Sequence, residues 1–349
     1  MIKIGLIVYG NLNQKSGGYL YDRRLIDYLR KKDTEIQIFP IRKPKNLFEN
    51  KKTSSRLLKS ILDKKIDLLL QDELTHASLT NLNNRLREKE VKLVSIVHHL
   101  GYLSDRCKFR KKLHKQIEKN YIKTVDNYIF NSKSTKKTVQ NIKKDIKKDV
   151  IAYPGKDNFN YETKYHMTRE KIKLLFVGNI LPHKCLDILI KSLGLLDIPI
   201  ELNIVGKKLD KKYMELLIKK TQKLGINNKV DFLGYLNKKE LKEQYIDNDI
   251  LILPSKFEGY GLVVVEAMGF GNPVIATNRG GPTELIEDKE NGYLVEPNNP
   301  KKISNYISKF YEDKEKIKNF GKTSKEKFKR LTTWNKSLSN IWDFLRNLK

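Results

Sequence analysis

Twelve apolar runs of strand length recur along the chain, and the stretches between them are long enough for amphipathic helices. The first six lie near residues 2–8, 35–39, 66–70, 91–97, 127–130 and 150–153. A second six lie near 173–177, 200–205, 230–233, 250–253, 273–276 and 293–295. The runs are dense in Val, Ile and Leu and do not alternate with polar residues. Strands covered by helices on both faces read this way. Strand alternating with helix predicts parallel sheets built from βαβ units. Two sets of six strands exceed one comfortable sheet, so a break is expected at the polar stretch 155–169. The expected fold class is therefore α/β: two doubly wound, Rossmann-like parallel-sheet domains facing across a cleft. Ligands of such sheets sit outside the carboxyl ends of the strands, so the residues just after each strand carry the functional signal.

Composition narrows the class. The chain has 349 residues, 39% hydrophobic and 32% charged, which is enough apolar material for ordinary cores. Mean hydropathy is −0.56, and no apolar run approaches the ~18 residues of a membrane-spanning helix. The run at 4–9 is too short for the core of a signal peptide. Two cysteines, Cys107 and Cys185, make no disulfide framework, and no Cys/His spacing suits zinc. A cytoplasmic protein is expected. The net charge is +29, carried by 70 Lys and Arg against 41 Asp and Glu. Residues 251–300 run the other way, with three cations, seven acids and 7 of the 19 glycines. A glycine-rich, acidic segment inside a lysine-rich chain marks a site with its own requirements.

That segment follows the run at 250–253 and reads Glu258-Gly-Tyr260-Gly261-Leu262-Val263-Val-Val-Glu266. Gly259 and Gly261 let backbone approach a ligand closely. The first amides of a helix lack internal partners and carry partial positive charge, so Gly261, Leu262 and Val263 suit phosphate oxygens. Carboxylates at Glu258 and Glu266 suit sugar or ribose hydroxyls. A helix start that merely attracts acids would account for Glu258. It accounts less well for Glu266, which sits among apolar neighbours where an unpaired carboxylate is costly.

This run resembles the hallmark of the family 4 retaining glycosyltransferases, two glutamates with seven residues between them around a Gly-aromatic-Gly core. The resemblance continues through Gly280-Gly281-Pro-Thr-Glu284 and Asn291-Gly292-Tyr-Leu-Val, and is strongest over 174–297. It implies the GT-B architecture. The implied division is an acceptor-side domain over 1–160, a donor-binding domain over 161–333, and a closing helix 334–349 that packs back on the first. The spacing of Trp334, Leu338, Ile341, Trp342 and Leu345 fits such a helix.

Three further segments resemble family sites. Phe176-Val-Gly178-Asn179-Ile-Leu-Pro-His183-Lys184-Cys185 is similar to the diphosphate-binding loop. Lys184 falls on the family's lysine, Asn179 on a position usually held by arginine, and Cys185 on one where glycine is common. His183 is the candidate to replace the missing arginine charge. Gly17 and Gly18, at the turn after the first strand, fall on a glycine pair that faces the donor. His98, after the fourth strand, falls on a histidine near the donor sugar. Asp72 and Glu73 also follow a strand end, but no motif supports them.

The resemblance implies transfer of a sugar, of hexosyl type, from a nucleotide-diphosphate sugar to a glycan or lipid-linked acceptor, with anomeric configuration retained. Lys184 and the helix amides would stabilise the leaving diphosphate, Glu258 the donor sugar, and Glu266 the ribose. His98 would position the sugar. No Asp-x-Asp or histidine cluster offers metal ligands in sequence, so no metal and no cofactor beyond the donor substrate is expected.

Residues 106–148 hold 15 cations and 3 acids. Over 106–125, Phe109, Leu113, Ile117, Tyr121 and Val125 recur every fourth position. One reading is a basic amphipathic helix docking on an anionic membrane, peripheral at its inner face, through Lys108, Lys111, Lys112 and Lys115. The other is a stripe packed on the core beneath solvated lysines. Two rival functions remain for the whole chain. A nucleic-acid or membrane binder without catalysis would suit an isoelectric point near 9.7. However, 57 Lys against 13 Arg and no binding motif argue against nucleic acid. A glycoside hydrolase also uses a carboxylate pair, but its two groups must flank one bond.

Overall fold

The computed structural model describes residues 1–43, 47–161 and 170–348, without the side chains of residues 47, 48, 50 and 108. The chain forms two compact units, Met1–Gly155 with Thr332–Lys349, and Lys156–Leu331. The crossings thus lie at 155/156 and 331/332. Much of the stretch expected as linker, 162–169, is outside the described residues.

The first unit is built on six parallel strands: β1 (Ile2–Tyr9), β2 (Thr34–Ile41), β3 (Leu68–Asp72), β4 (Lys92–Val97), β5 (Asn127–Phe130) and β6 (Lys148–Ile151). Their order is β2-β1-β3-β4-β5-β6. Successive side chains of a strand point to opposite faces. Ile4, Leu6 and Val8 accordingly join one core with Leu68, Leu70, Val94 and Ile96. Ile7 joins the other core with Leu69, Leu93 and Val97. Both faces are buried, which is why these strands read as continuous apolar runs.

The helix Trp334–Arg346 completes one of those cores with Trp334, Leu338, Ile341 and Leu345. Thr333 caps it, accepting from the Lys336 amide, and Trp334 meets the ring of Tyr21 edge-on at 5.6 Å. A side chain at Gly155 would collide with the backbone of Trp334, so the chain leaves the unit against the segment on which it returns.

The second unit repeats the plan with β7 (Ile172–Val177), β8 (Ile200–Val205), β9 (Val230–Gly234), β10 (Ile250–Leu253), β11 (Val274–Thr277) and β12 (Gly292–Val295). The order β12-β11-β10-β7-β8-β9 is that of the dinucleotide-binding fold.

The basic helix spans Lys108–Lys123. Its fourth-position stripe does not stay on one face. At 3.6 residues per turn each step of four slips about 40°, so Phe109 and Tyr121 lie about 120° apart. Tyr121, Ile122 and Val125 are buried, whereas Phe109 is 78% and Leu113 54% exposed. Among the described residues, no helix is long and apolar enough to cross a membrane.

Candidate functional site

In the second unit the strand order reverses between β7 and β10, and the loops after these two strands emerge side by side. The loop after β7 ends in a short turn, Pro182–Lys184. Lys184 Nζ reaches Glu258 Oε1, after β10, at 2.5 Å. Burial works to raise the Glu258 carboxyl, but the charge and hydrogen bond of Lys184 outweigh it and hold the group below its ordinary range. Two residues expected to act separately are therefore one ion pair.

The Glu258 loop is clamped from behind. Its amide donates to Arg279 O at 3.3 Å, and the Gly281 amide donates to Glu258 O at 3.0 Å. Gly280 has φ +90°, and a side chain there would strike the Glu258 carbonyl. One at Gly281 would strike the backbone of Tyr260, itself buried. The glycine pair is thus required for the position of the Glu258 loop.

Gly261, at φ +91°, starts the helix Leu262–Phe270. Its carbonyl accepts first from the Val264 amide at 2.8 Å. The amides of Leu262 and Val263 precede that bond and are the ones such a helix start presents to an anion. Glu266 lies about one turn further on and is 7% exposed. Asn158 Nδ2 donates to one of its oxygens at 3.0 Å and Tyr245 Oη to the other at 2.8 Å. Burial nevertheless pushes the carboxyl up to about 7.

Sequence reasoning missed Asn158 and Tyr245. The signal was indirect: a carboxylate among apolar neighbours must find donors, but nothing said which.

Asn179 is half-buried just after β7. His183 does not replace the missing arginine charge. Burial first, then the adjacent Lys184 ammonium, lowers it to about 4, so it is neutral at pH 7. Cys185 adopts a left-handed conformation, φ +54°, the physical reason a glycine suits that position.

In the first unit the order reverses between β1 and β3. Ser16 caps the helix Gly17–Leu29, accepting from the Tyr19 amide at 3.4 Å. Gly17 is exposed, and nothing stands where its side chain would be. Gly18 is a different case: a Cβ there would lie 3.1 Å from His98 Cδ2, so this glycine makes room for the imidazole. His98 follows β4, is 6% exposed, and places Nε2 3.1 Å from Asp22 Oδ1. Burial works against its charge, but Asp22, then Asp72 and Glu73, hold it protonated, up to about 9. Burial and the charge of Asp22 in turn push Asp72 well above the carboxylate range. Asp22 Oδ2 and Asp72 Oδ2 accept no hydrogen bond among the described residues.

No spacing in the sequence offers metal ligands, but the fold brings two groups of such side chains together. Among the described residues, Asp22, Asp72 and His98 converge, and so do Glu73, His76 and Glu118, with ligand atoms of each group within 4.8 Å of one another. These residues come from distant parts of the chain, so no spacing in the sequence announced them.

Residues 158–327 match the family described as glycosyl transferases group 1. A relative named "uncharacterized glycosyltransferase MJ1607", from Methanocaldococcus jannaschii, is 30% identical over 149 residues, covering 43% of this chain and 38% of that protein. The chain spans between 38% and 59% of the length of the first curated relatives it matches. Among solved structures, sucrose-phosphate synthase from Thermosynechococcus elongatus aligns with a TM-score of 0.86 at 18% identity, over 100% of this chain and 99% of that one. Anabaena HepE, in complex with UDP and glucose, aligns with a TM-score of 0.79 at 17% identity, over 99% and 100%. At these identities the likeness is one of fold. The chain thus carries the GT-B fold, and the match to glycosyl transferases group 1 falls on its second unit.

Proposed function

We propose that the protein is a retaining glycosyltransferase of the family 4 kind, moving a hexosyl group from a nucleotide-diphosphate sugar to a glycan or lipid-linked acceptor. The observation that carries this reading is the Lys184–Glu258 pair at the strand-order reversal, beside the helix start at Gly261. A diphosphate arriving there competes with Glu258 for the Lys184 ammonium and takes the amides of Leu262 and Val263. As the bond from the anomeric carbon to the phosphate oxygen breaks, its electron pair stays on that oxygen, where the Lys184 ammonium and these amide donors stabilise it. Glu258, relieved of Lys184, accepts hydroxyls of the donor sugar and offsets positive charge on its ring. The acceptor oxygen bonds to the anomeric carbon on the face that the phosphate leaves, and its proton passes to the departing phosphate. Glu266 has about four lone-pair sites and two protein donors, which leaves capacity for ribose hydroxyls.

Lys184 and the helix amides supply the positive charge at the diphosphate, so this step requires no metal there. A glycoside hydrolase fits less well. Glu258 is neutralised by Lys184 and Glu266 is held by Asn158 and Tyr245, not set on either side of one bond.

HepE was solved with UDP and glucose, which makes UDP and UDP-glucose the first probes. The test is thermal unfolding with UDP, GDP, ADP and their sugars, then the anomeric configuration of the product by NMR. One nucleoside diphosphate should raise the midpoint equally in EDTA and in Mg2+, and DNA should not. Stabilisation by DNA alone, or an inverted product, would reject the reading. His98→Ala should lower turnover and leave UDP binding intact.

A second reading concerns location. Phe109 and Leu113 are exposed on the helix that carries Lys111, Lys112 and Lys115, an apolar and cationic face suited to an anionic membrane.

A further inference from the structure

The acidic group beneath the β3 carboxyl end has no part in the transfer proposed above. Glu73 follows β3 directly and is fully buried. Among the described residues, neither of its carboxylate oxygens accepts from an amide, hydroxyl or ammonium. The carboxyl of Glu118, also fully buried, faces it from the helix Lys108–Lys123 within hydrogen-bonding reach, so the two can bond to one another only while one of them holds a proton. Glu118 is itself fixed in place: its oxygens accept from the Gly101 amide at 2.6 Å and the Tyr102 amide at 3.2 Å.

His76 completes the group. Its Nδ1 lies 2.9 Å from the Glu73 carbonyl oxygen, and also 3.3 Å from Glu73 Oε1. With the proton of Nδ1 on that carbonyl, Nε2 is the unprotonated nitrogen, 3.9 Å from Glu118 Oε1. A ring nitrogen bonded to a backbone carbonyl is the usual support for a metal-ligating imidazole.

We propose that Glu73, His76 and Glu118 bind a divalent first-row metal ion, Zn2+ or Mn2+, within the first unit. Two buried carboxyls beside an imidazole are neutralised either by protons of their own or by one cation held among the three, and the converging ligand atoms suit the cation. One nitrogen and at least two oxygens match the donor set of these ions, whereas Mg2+ prefers oxygen and its own waters. Tetrahedral ligands at zinc bond lengths stand about 3.4 Å apart. A ring nitrogen of His76 and one oxygen from each carboxyl already lie within 4.8 Å of one another, so side-chain rotation closes the site. Its role is to tie β3 to the basic helix, and it stands independently of the proposed transferase activity.

The test uses the full, untagged chain, stripped with EDTA and dialysed. Thermal unfolding and calorimetry are then followed with Zn2+, Mn2+ and Mg2+. Zn2+ and Mn2+ should each bind at one equivalent and raise the midpoint by several degrees, and Mg2+ should do neither. Glu73→Gln and His76→Gln should each weaken Zn2+ binding by more than about tenfold. Co2+ should give visible d–d bands that report its coordination geometry, and His76→Gln, which removes one ligand, should shift and weaken them. Glu73→Gln removes a buried carboxylate, so in EDTA at pH 8 it should unfold no earlier than wild type, which shows that its lost binding is not misfolding. Unchanged Zn2+ affinity in either variant, no saturable binding by wild type, or equal response to Mg2+ would overturn the site. UDP binding in EDTA reports separately on the donor loops.

Discussion

The two units place acids at equivalent points of their sheets but treat them oppositely. In the second unit Glu258 stands against Lys184, and its carboxyl is held below the ordinary range. In the first unit Asp72, Glu73 and Glu118 are buried, and their backbone donors and His98 do not outweigh that burial. Asp72 is raised, and Glu73 and Glu118 are each pushed up to about 8 by burial first and by their acidic neighbours second. One unit shows a carboxylate whose charge is balanced in advance by a lysine. The other shows charge burial that costs stability until a proton or cation answers it.

The contrast breaks most forcefully at Lys184. Lys184→Ala should lower turnover about a hundredfold, the roughly 3 kcal/mol attached to one such preorganised group. It also leaves Glu258 buried without its counter-charge, so nucleotide-free stability at pH 8 should fall too. Steady-state kinetics and thermal unfolding read the two effects, and wild-type turnover in the folded variant would reject the assignment. Gly280→Ala should act in the same direction, because its methyl group displaces the Glu258 backbone.

The opposite sign is expected at Asp72. Its raised value means that the folded chain holds a proton the unfolded chain has lost, so stability falls as pH rises from the ordinary carboxylate range toward neutrality. Asp72→Asn keeps the cap on the Leu74 amide, accepted by Oδ1 at 3.0 Å, and removes the charge. In EDTA it should unfold a few degrees above wild type at pH 8 and lose that advantage near pH 4. A variant less stable than wild type at pH 8 would show that Asp72 is already compensated, by His98 for example.

These differences also explain what the sequence disclosed. Most of the twelve strands were legible because the inner ones are buried on both faces, while the edge strands β2, β6 and β9 are partly exposed, and boundaries moved by a residue or two. β3, for instance, runs over Leu68–Asp72 rather than 66–70. The Glu258–Glu266 segment was legible because its parts are contiguous: strand, glycine turn, helix start. Glu258 bonding to Lys184 was not, since spacing along a chain says nothing of contacts between neighbouring loops. The first unit's acids were hardest, because Asp22, Asp72, His98 and Glu118 lie on separate elements and obey no common period. The stripe from Phe109 to Val125 divides between its two readings, exposed at one end and buried at the other, since a strict period of four drifts around a helix.

Glu266 tests whether donors can soften the cost of burial. Like Asp72 it is raised, to about 7, so its contribution to stability also declines as pH rises through that value. Unlike Asp72 it has a donor on each oxygen. Glu266→Gln should therefore raise the nucleotide-free unfolding midpoint at pH 8 by less than Asp72→Asn does, about one or two degrees, with no gain at pH 5. It should still weaken nucleotide binding, because an amide offers one acceptor oxygen where the carboxylate offers two. Unaltered UDP affinity would remove Glu266 from the ribose site.

The smallest expected effect separates the units by location. If the exposed Phe109–Leu113 face docks on anionic lipid, each lysine close to the surface contributes roughly 1 kcal/mol, about fivefold in binding. Lys112 is the cleanest single probe. It is exposed, whereas the Lys115 ammonium lies 5.7 Å from the centre of the Tyr102 ring, and the Lys108 side chain is outside the described residues. Lys112→Gln should weaken binding to phosphatidylserine vesicles about fivefold at low salt. The difference should shrink as salt rises, because screening cuts the reach of a charge to about 8 Å at physiological ionic strength. Phe109→Ser should weaken binding at every salt concentration, because its contribution is apolar and unscreened. UDP binding should be untouched in both variants, since the donor loops belong to the other unit. Equal vesicle binding by wild type and both variants would mean that the helix keeps an exposed phenylalanine and its lysines for no membrane at all.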